Sequence, residues 1–127
     1  MNTAAWMSDL FAAIDAKDVA RFASFLAPEA TFQFGNMPAL AGRGSICAMV
    51  EGFFQSIGEL HHTLLEHWTC GDTLVCHGMV TYHRLDGTEL SVPFANIMKC
   101  ADGQAHEYRI YVDVSALFDT TKHAPAP

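Results

Sequence analysis

The sequence predicts an α+β fold in which three N-terminal helices pack against an antiparallel sheet. Two observations support this prediction. Up to Gly58, the apolar residues recur every three or four positions, as they do on amphipathic helices. Beyond Leu60, β-rich segments follow one another and are separated by short turns that contain glycine. Such a sheet must wrap its apolar face around the helices.

The first two helices are predicted from periodicity and capping residues. An apolar stripe with three- and four-residue spacing runs from Met7 to Ile14. Asp18 is expected to cap a second helix, and Pro28 to end it. The segment at 30–34, "ATFQF", then alternates as a short strand.

A loop and a third helix separate this strand from the rest of the sheet. The segment at 35–44, "GNMPALAGRG", is predicted to be a loop because of its Gly, Asn and Pro residues. Ser45 is expected to open the third helix, and Gly58 to follow its end. Four strands of an antiparallel meander are then predicted at about 60–70, 73–84, 88–100 and 105–114.

The composition indicates a single domain over 1–118, followed by a disordered tail at 119–127. The chain of 127 residues is 50% hydrophobic and contains no run of 18 apolar residues, which argues against a membrane partner. Asp9 and Asp15 interrupt the apolar N-terminus, which also lacks the basic flank of a signal peptide. We therefore expect a cytoplasmic protein.

Charge and cysteine content argue against several classes of partner and cofactor. A net charge of −7 with only seven Lys and Arg argues against nucleic acid. Glu66 and His67 would diverge on a strand, which disfavours a metal site, and the sequence has no glycine-rich phosphate loop. We expect no cofactor. Free thiols, rather than disulfides or a zinc site, are expected at Cys47, Cys70, Cys76 and Cys100.

Four motifs carry a resemblance to a known family. The motifs "FGNMPALAGRGSI", "IGELHHT", "RLDGTELSVP" and "EYRIYVDVSAL", in this order, resemble the SnoaL-like branch of the nuclear transport factor two-like superfamily. The resemblance implies a cone-shaped, cystatin-like α+β barrel with a strongly curved sheet and a central pocket. The superfamily includes ketosteroid isomerases, scytalone dehydratase, polyketide cyclases and limonene-type epoxide hydrolases, so the fold alone does not define the reaction.

The chain departs from the limonene-type epoxide hydrolases at their functional positions. Their loop Tyr-x-Asn-Met-Pro corresponds to a segment that begins with Phe34 and keeps the asparagine at Asn36. The inward carboxylate of their last strand corresponds to Ile110. Counting back from a shared glycine turn places their Arg-x-Asp pair at His77 and Met79. The epoxide hydrolase carboxylates are therefore missing.

The resemblance, combined with strand alternation, predicts which side chains face the pocket. On the last strand, Tyr108 is expected to face inward, whereas Arg109 and Asp113 look away from the pocket, and Asp113 is read as structural. The pocket should be apolar with a few polar points, as is usual for a small hydrophobic ligand. The expected ligand-binding residues are Phe34, Asn36, Met79, Val92, Phe94, Asn96, Tyr108, Ile110 and Val112.

Two histidines are the candidate catalytic residues. His77, predicted to point inward, could transfer a proton near neutral pH, or could be a core histidine satisfied by one hydrogen bond. His62 shares its parity with Trp68 and is the second candidate, with a place at the pocket rim as the alternative. Asn36 and Tyr108 could bind a carbonyl or hydroxyl oxygen.

Two functions follow from this pattern. The first is an isomerase, dehydratase or cyclase that acts by proton transfer on a small hydrophobic substrate. The second is a non-catalytic module that binds or carries a small apolar ligand in the same pocket. We also expect a homodimer, because an outer sheet face with Leu65, Cys76, Tyr82 and Tyr111 would be too apolar to face water.

Overall fold

The computed structural model describes residues 2–118, which form three helices and six strands. The predicted tail at 119–127 lies outside the described residues. No helix of the described chain is long and apolar enough to span a membrane. The elements are α1 (Thr3–Asp15), α2 (Val19–Ala23), β1 (Leu26–Phe34), β2 (Leu40–Ala41), α3 (Arg43–Gln55), β3 (Glu59–Cys70), β4 (Thr73–His83), β5 (Glu89–Ala101) and β6 (Gln104–Val112).

The caps of the first two helices explain where they begin. The side chain of Asn2 accepts a hydrogen bond from the Ala5 N–H at 3.1 Å, and Asp18 accepts one from the Arg21 N–H at 3.0 Å. The prediction of Asp18 as a cap is confirmed. Helix α2 ends earlier than predicted, at Ala23, and Pro28 lies inside β1, next to a register irregularity that tolerates its missing N–H.

Helix α3 lies after the first two strands, as the predicted strand at 30–34 implied, so the description of all three helices as N-terminal is wrong in part. The helix begins at Arg43, directly after Gly42, whose φ of 95° favours glycine. The predicted loop before it contains the two-residue strand β2, which pairs with β1 through Phe32 and Leu40.

The six strands form one curved mixed sheet in the order β2-β1-β6-β5-β4-β3. The predicted antiparallel meander is present from β3 to β6. The pairing of β1 with β6 is parallel, so the expectation of a wholly antiparallel sheet is wrong. This pairing brings the first strand beside the last, and the inner face of the sheet then packs against the helices in one apolar core.

A bulge in β3 lies opposite a glycine of β4. The register of the two strands shifts between Leu64 and Glu66, and Gly78 pairs with Leu64. A Cβ atom added at Gly78 would lie 1.9 Å from the carbonyl oxygen of Thr63. Only glycine therefore allows the two backbones to approach this closely.

Because of the bulge, even-numbered side chains of β3 point inward before it and outward after it. His62 precedes it and lies on the inner side, where it pairs with Val80. Trp68 follows it, is 51% exposed and stacks on the ring of His77 at 5.7 Å on the outer side. The prediction that Trp68 shares a face with His62 is therefore wrong, because the extra residue shifts the alternation by one.

The outer face of the sheet carries only part of the predicted apolar set. Leu65 and Tyr111 are exposed, as predicted, and Met79 adds to this face. Cys76 and Tyr82 are buried in the core, so their predicted position on the outer face is wrong.

Buried Arg84 anchors the C-terminal segment. Its guanidinium donates to the carbonyl oxygens of Leu117 at 3.0 Å, Ala116 at 3.2 Å and Glu89 at 3.1 Å, and to Thr88 Oγ1 at 3.0 Å. These bonds satisfy a charged group that is only 9% exposed. They hold residues 116–117 against the turn between β4 and β5.

Candidate functional site

A cavity of about 50 Å³ lies between the helices and the inner face of the sheet. Its wall is mostly aromatic, and the described residues that line it include no Lys, Arg, Asp or Glu. An apolar cavity with few polar groups is the usual form of a small-molecule site. The phenylalanines of the wall include Phe11, Phe22, Phe32, Phe34, Phe53 and Phe94.

His62 of β3 is the histidine that lines this cavity. Its ring centroid lies 4.9 Å from that of Phe11 and 5.2 Å from that of Phe94. The side chain is only 11% exposed. The two phenylalanines therefore fix the orientation of the imidazole from helix α1 and from strand β5.

Asp15, the last residue of helix α1, holds His62 from the other side. One carboxylate oxygen lies 2.6 Å from His62 Nδ1, and the other accepts the backbone N–H of His62 at 2.9 Å. His61 Nδ1 lies farther from the same carboxylate, at 3.7 Å, and its side chain is 72% exposed. Asp15 therefore makes two hydrogen bonds to His62.

This pairing determines what the imidazole can do chemically. An ionised carboxylate only accepts hydrogen bonds, so Nδ1 of His62 must carry the proton of the bond to Asp15. The lone pair of the neutral ring then resides on Nε2. In this pair, His62 could act as a general base and Asp15 as the group that orients it.

The same pair can be reached from the protein surface. A groove beside helix α1 is lined by Asp15, His62 and Phe11, together with Ser8 and Leu64. His62 and Phe11 line both this groove and the cavity. Solvent protons can therefore reach the pair without passing through the apolar cavity.

Two buried tyrosines supply neutral hydroxyl groups to the cavity wall. Burial raises the pKa of Tyr82, and burial together with nearby Cys76, Cys100 and Tyr82 raises the pKa of Tyr108. Both phenols are therefore protonated hydrogen-bond donors at neutral pH. Tyr82 is a diagonal neighbour of His62, because His62 pairs with Val80, two residues before it.

Asn96 is the remaining polar group of the cavity wall. It is 1% exposed, and its side-chain oxygen has no hydrogen-bond partner among residues 2–118. A buried amide oxygen without a partner is uncommon in folded proteins, because the loss of its hydration is not compensated.

The structure places His77 and Met79 outside the cavity, so their predicted inward positions are wrong. His77 pairs with Glu66 at 3.0 Å on the outer face, and Met79 is 37% exposed. The reason is the register between β4 and β5, in which His83 pairs with Glu89. In this register Cys76 pairs with Asn96 and Gly78 pairs with Phe94, and directly paired residues point to the same face of the sheet. Because Phe94 and Asn96 point inward, Cys76 and Gly78 point inward as well, and their neighbours His77 and Met79 point outward.

Asn36 is exposed and does not line the cavity, which contradicts its predicted role there. It lies in a tight turn in which the Met37 N–H donates to the Phe34 carbonyl at 3.1 Å. Its neighbour Gly35 has a φ of 58°. The turn conformation accounts for this sequence, since Gly and Asn favour such backbone geometry.

Most of the other predicted ligand-binding residues do face inward. Val92 and Val112 pack against the core but do not line the cavity. Sequence reasoning missed Asp15, which lies on a helix, and Tyr82, which was predicted on the outer face of the sheet. One signal for Asp15 was available, since it lies four residues after Phe11 and hence beside the apolar stripe of α1. The predicted residues found in the cavity wall are Phe34, Phe94, Asn96, Tyr108 and Ile110.

Within residues 2–118, no three His, Cys, Asp or Glu side chains are grouped so as to hold a metal ion. Glu66 points to the outer face, where it meets His77. His67 pairs with Cys76 and lies on the opposite side of β3. The two residues diverge, as expected for neighbours on a strand.

Comparison with known proteins identifies the family of the chain. A model of the SnoaL-like domain matches residues 7–108. The chain belongs to the SnoaL-like domain family. No curated protein matches the sequence. The matched range contains the Asp15–His62 pair, Asn96 and Tyr108, whereas Ile110 of the cavity wall lies just beyond it.

Three solved structures illustrate how widely this fold is shared. A proposed SnoaL-like polyketide cyclase from Jannaschia sp. is 20% identical, with a TM-score of 0.81 and coverage of 96% of this chain and 92% of that one. A hypothetical protein with a ketosteroid isomerase-like fold from Catenulispora acidiphila is 16% identical, with a TM-score of 0.83 and coverage of 96% and 97%. An LEH-like epoxide hydrolase from Mycobacterium tuberculosis is 11% identical, with a TM-score of 0.76 and coverage of 90% and 84%. At these identities the likeness shows the nuclear transport factor two-like fold, and the chemistry of this SnoaL-like protein must be argued from its own residues.

Proposed function

We propose that this SnoaL-like protein catalyses proton transfer on a small hydrophobic substrate without a cofactor, in an isomerisation, dehydration or cyclisation. The observation that carries the proposal is the hydrogen-bonded pair of Asp15 and His62 at the wall of an apolar cavity. His62 is the general base of this proposal, and His77, the other candidate from the sequence, is not part of it.

The pair supports the proposal because Asp15 holds one nitrogen of the imidazole and leaves the other for reaction with the substrate. Asp15 fixes the proton on Nδ1, so Nε2 is the atom of His62 that would take a proton from the substrate. The resulting imidazolium would be stabilised by the carboxylate 2.6 Å away. The neutral hydroxyl groups of Tyr82 and Tyr108 would stabilise negative charge that develops on a substrate oxygen.

The names of the structural neighbours agree with this class of chemistry. The Jannaschia protein is named as a proposed SnoaL-like polyketide cyclase, and the Catenulispora protein is named for its ketosteroid isomerase-like fold. A cyclisation or isomerisation of a small apolar molecule would suit a cavity walled by phenylalanine rings.

The second candidate is a non-catalytic module that binds or carries a small apolar ligand. Asp15 also accepts the backbone N–H of His62, so the carboxylate joins helix α1 to strand β3 whatever the ring does. In a binding module, this structural connection would be the whole role of the pair.

A ligand screen separates the two candidates. Small terpenoid, steroid and polyketide-like compounds would be tested for an increase in Tm, and each binder would then be followed for turnover. Turnover that is lost in His62→Gln but kept in Asn36→Ala, a matched change outside the cavity, supports the enzyme. Binding without turnover supports the carrier module. Turnover that survives His62→Gln eliminates His62 as the base.

We further propose that the protein is a cytoplasmic homodimer that pairs through the outer face of the sheet. Exposed Met79, Leu65 and Tyr111 on this face support the dimer, because an apolar surface left in water favours association. The four free thiols suit a reducing compartment. Light scattering at micromolar concentration tests the dimer, and a monomer would remove this part of the proposal.

A further inference from the structure

Asn96 is a polar residue in a position where an apolar one would favour the folded state. It lies on β5 between Cys76 of β4 and Ile110 of β6, which are its direct partners across the sheet. Its side-chain oxygen is buried without a partner among the described residues, although the residue lines the cavity. Such a group lowers stability, so its presence points to a role that is fulfilled when the cavity is occupied.

The chemistry of a carboxamide restricts the group that would bind it. The amide of Asn96 presents both an acceptor and a donor, and the positions of its oxygen and nitrogen are interchangeable by a flip of the side chain. A hydroxyl group can donate to the oxygen or accept from the nitrogen, so it matches either orientation. The cavity wall includes no Lys, Arg, Asp or Glu among its described residues, which disfavours a charged ligand.

The small size of the cavity favours a ligand of a single ring over a larger one. Its volume of about 50 Å³ is smaller than the ~150 Å³ of an apolar cavity known to accept benzene. One ring can therefore enter only if side chains of the wall move. Phe53 is a candidate for this movement, because it is only partly buried. Its ring centroid lies 6.3 Å from that of exposed Phe118.

Phe94 lies between His62 and Asn96, two of the polar residues of the cavity wall. Its ring lies 5.2 Å from that of His62, and it precedes Asn96 by two residues on the same face of β5. A flat ligand packed against Phe94 would have one edge near His62 and the other near Asn96. The arrangement suits a ring with a hydroxyl group at one end and a reacting carbon at the other.

We propose that Asn96 determines ligand specificity, and that the cavity takes a neutral single-ring compound whose hydroxyl group bonds the Asn96 carboxamide. The proposal deepens the proposed function by naming the substrate class of the same cavity. Its test measures binding only, so it can succeed or fail whether or not His62 transfers a proton.

The test compares phenol with toluene, which has a methyl group in place of the hydroxyl. The Kd of each compound would be measured by calorimetry in the full-length wild type, in Asn96→Leu and in Met98→Leu. Met98 is a suitable control because it is buried two residues from Asn96 on the same face and does not line the cavity. The ratio of the two Kd values within each variant removes the difference in hydrophobicity between the compounds.

The proposal predicts that the preference for phenol relative to toluene is about tenfold greater in wild type than in Asn96→Leu. Met98→Leu should keep the wild-type ratio, and the empty Asn96→Leu variant should show a higher Tm than wild type, which excludes misfolding as the cause. An unchanged ratio in Asn96→Leu overturns the proposal. Failure of wild type to bind either compound up to its solubility limit overturns it as well.

Discussion

The carboxylate of Asp15 accepts two hydrogen bonds from His62, one from the ring Nδ1 at 2.6 Å and one from the backbone N–H at 2.9 Å. The ring is thereby held in one tautomer, while the backbone bond fixes the distance between helix α1 and strand β3. Because His62 also lines the cavity, the end of the helix and the start of the strand together determine the chemistry of the site.

Asp15→Asn should lower any turnover by about 10- to 100-fold, because a hydrogen bond to a charged group contributes roughly 1.5–3 kcal/mol. The amide can still accept the backbone N–H of His62, so most of the fold should be retained. Asp9→Asn is the control, since Asp9 lies on the same helix, is 63% exposed and contacts Arg21 only at 4.0 Å. Equal turnover in the two variants would show that Asp15 does not orient the base.

Gly78→Ala should lower the free energy of unfolding by about 3 kcal/mol or more, because its Cβ would overlap the carbonyl oxygen of Thr63 at 1.9 Å. Gly52→Ala is the matched control in helix α3. Nothing lies within 4 Å of a Cβ at Gly52, so this change should stabilise the protein by about 0.5–1 kcal/mol. Urea denaturation measures both, and a mild effect of Gly78→Ala would argue against the bulge in β3.

The stability of the protein should fall in alkaline solution. Burial raises the pKa of Cys76 from 9.0 to about 11, and burial with the nearby Asp72 carboxylate raises that of Cys100 to about 11. The unfolded chain loses these protons first, so the contribution to stability is complete below pH 9 and is lost as the pH rises towards 11. Urea denaturation across this range measures the slope.

A double variant, Cys76→Ala with Cys100→Ala, provides the control for this pH dependence. Its slope should be smaller, and the part from Cys47, Tyr82 and Tyr108, whose pKa values are also raised by burial, should persist. An identical slope in the double variant and in wild type would contradict the assignment to the thiols.

Arg84→Lys should lower the free energy of unfolding by about 1–3 kcal/mol, although the charge is conserved. The guanidinium reaches carbonyl oxygens on two segments, including those of Leu117 and Glu89, and a lysine ammonium cannot reproduce this fork. Arg109→Lys on the exposed face should change stability by less than about 0.5 kcal/mol. Similar losses in both variants would mean that the C-terminal segment is not held by Arg84.

The features predicted correctly from the sequence depend on a single strand or on a single helix cap. The face of β6 that carries Tyr108 and Ile110 follows from simple alternation, because this strand has no bulge between them. The cap at Asp18 follows from its position before an apolar periodic segment. Both features depend on neighbours in the sequence and on nothing distant.

The wrong predictions concern features that depend on how two segments distant in the sequence pair with each other. The face of His77 depends on the register between β4 and β5, and the face of Trp68 depends on a bulge that Gly78 makes possible. The Asp15–His62 pair joins residues 47 positions apart, which periodicity along the chain cannot reveal. The parallel contact of β1 with β6 is of the same kind, since it forms only when the chain closes on itself.

The role of His62 as the base is tested most directly by the rate of deuterium exchange at the α-carbon of a single-ring hydroxyketone in D₂O, measured by NMR with wild type, His62→Gln and His77→Gln. A general base contributes roughly 10²–10⁴-fold, so His62→Gln should reduce the protein-dependent rate by this factor. His77→Gln should leave the rate unchanged, because His77 lies on the outer face beside Glu66. A rate that survives in His62→Gln, or that falls equally in both variants, would contradict the assignment of His62 as the base.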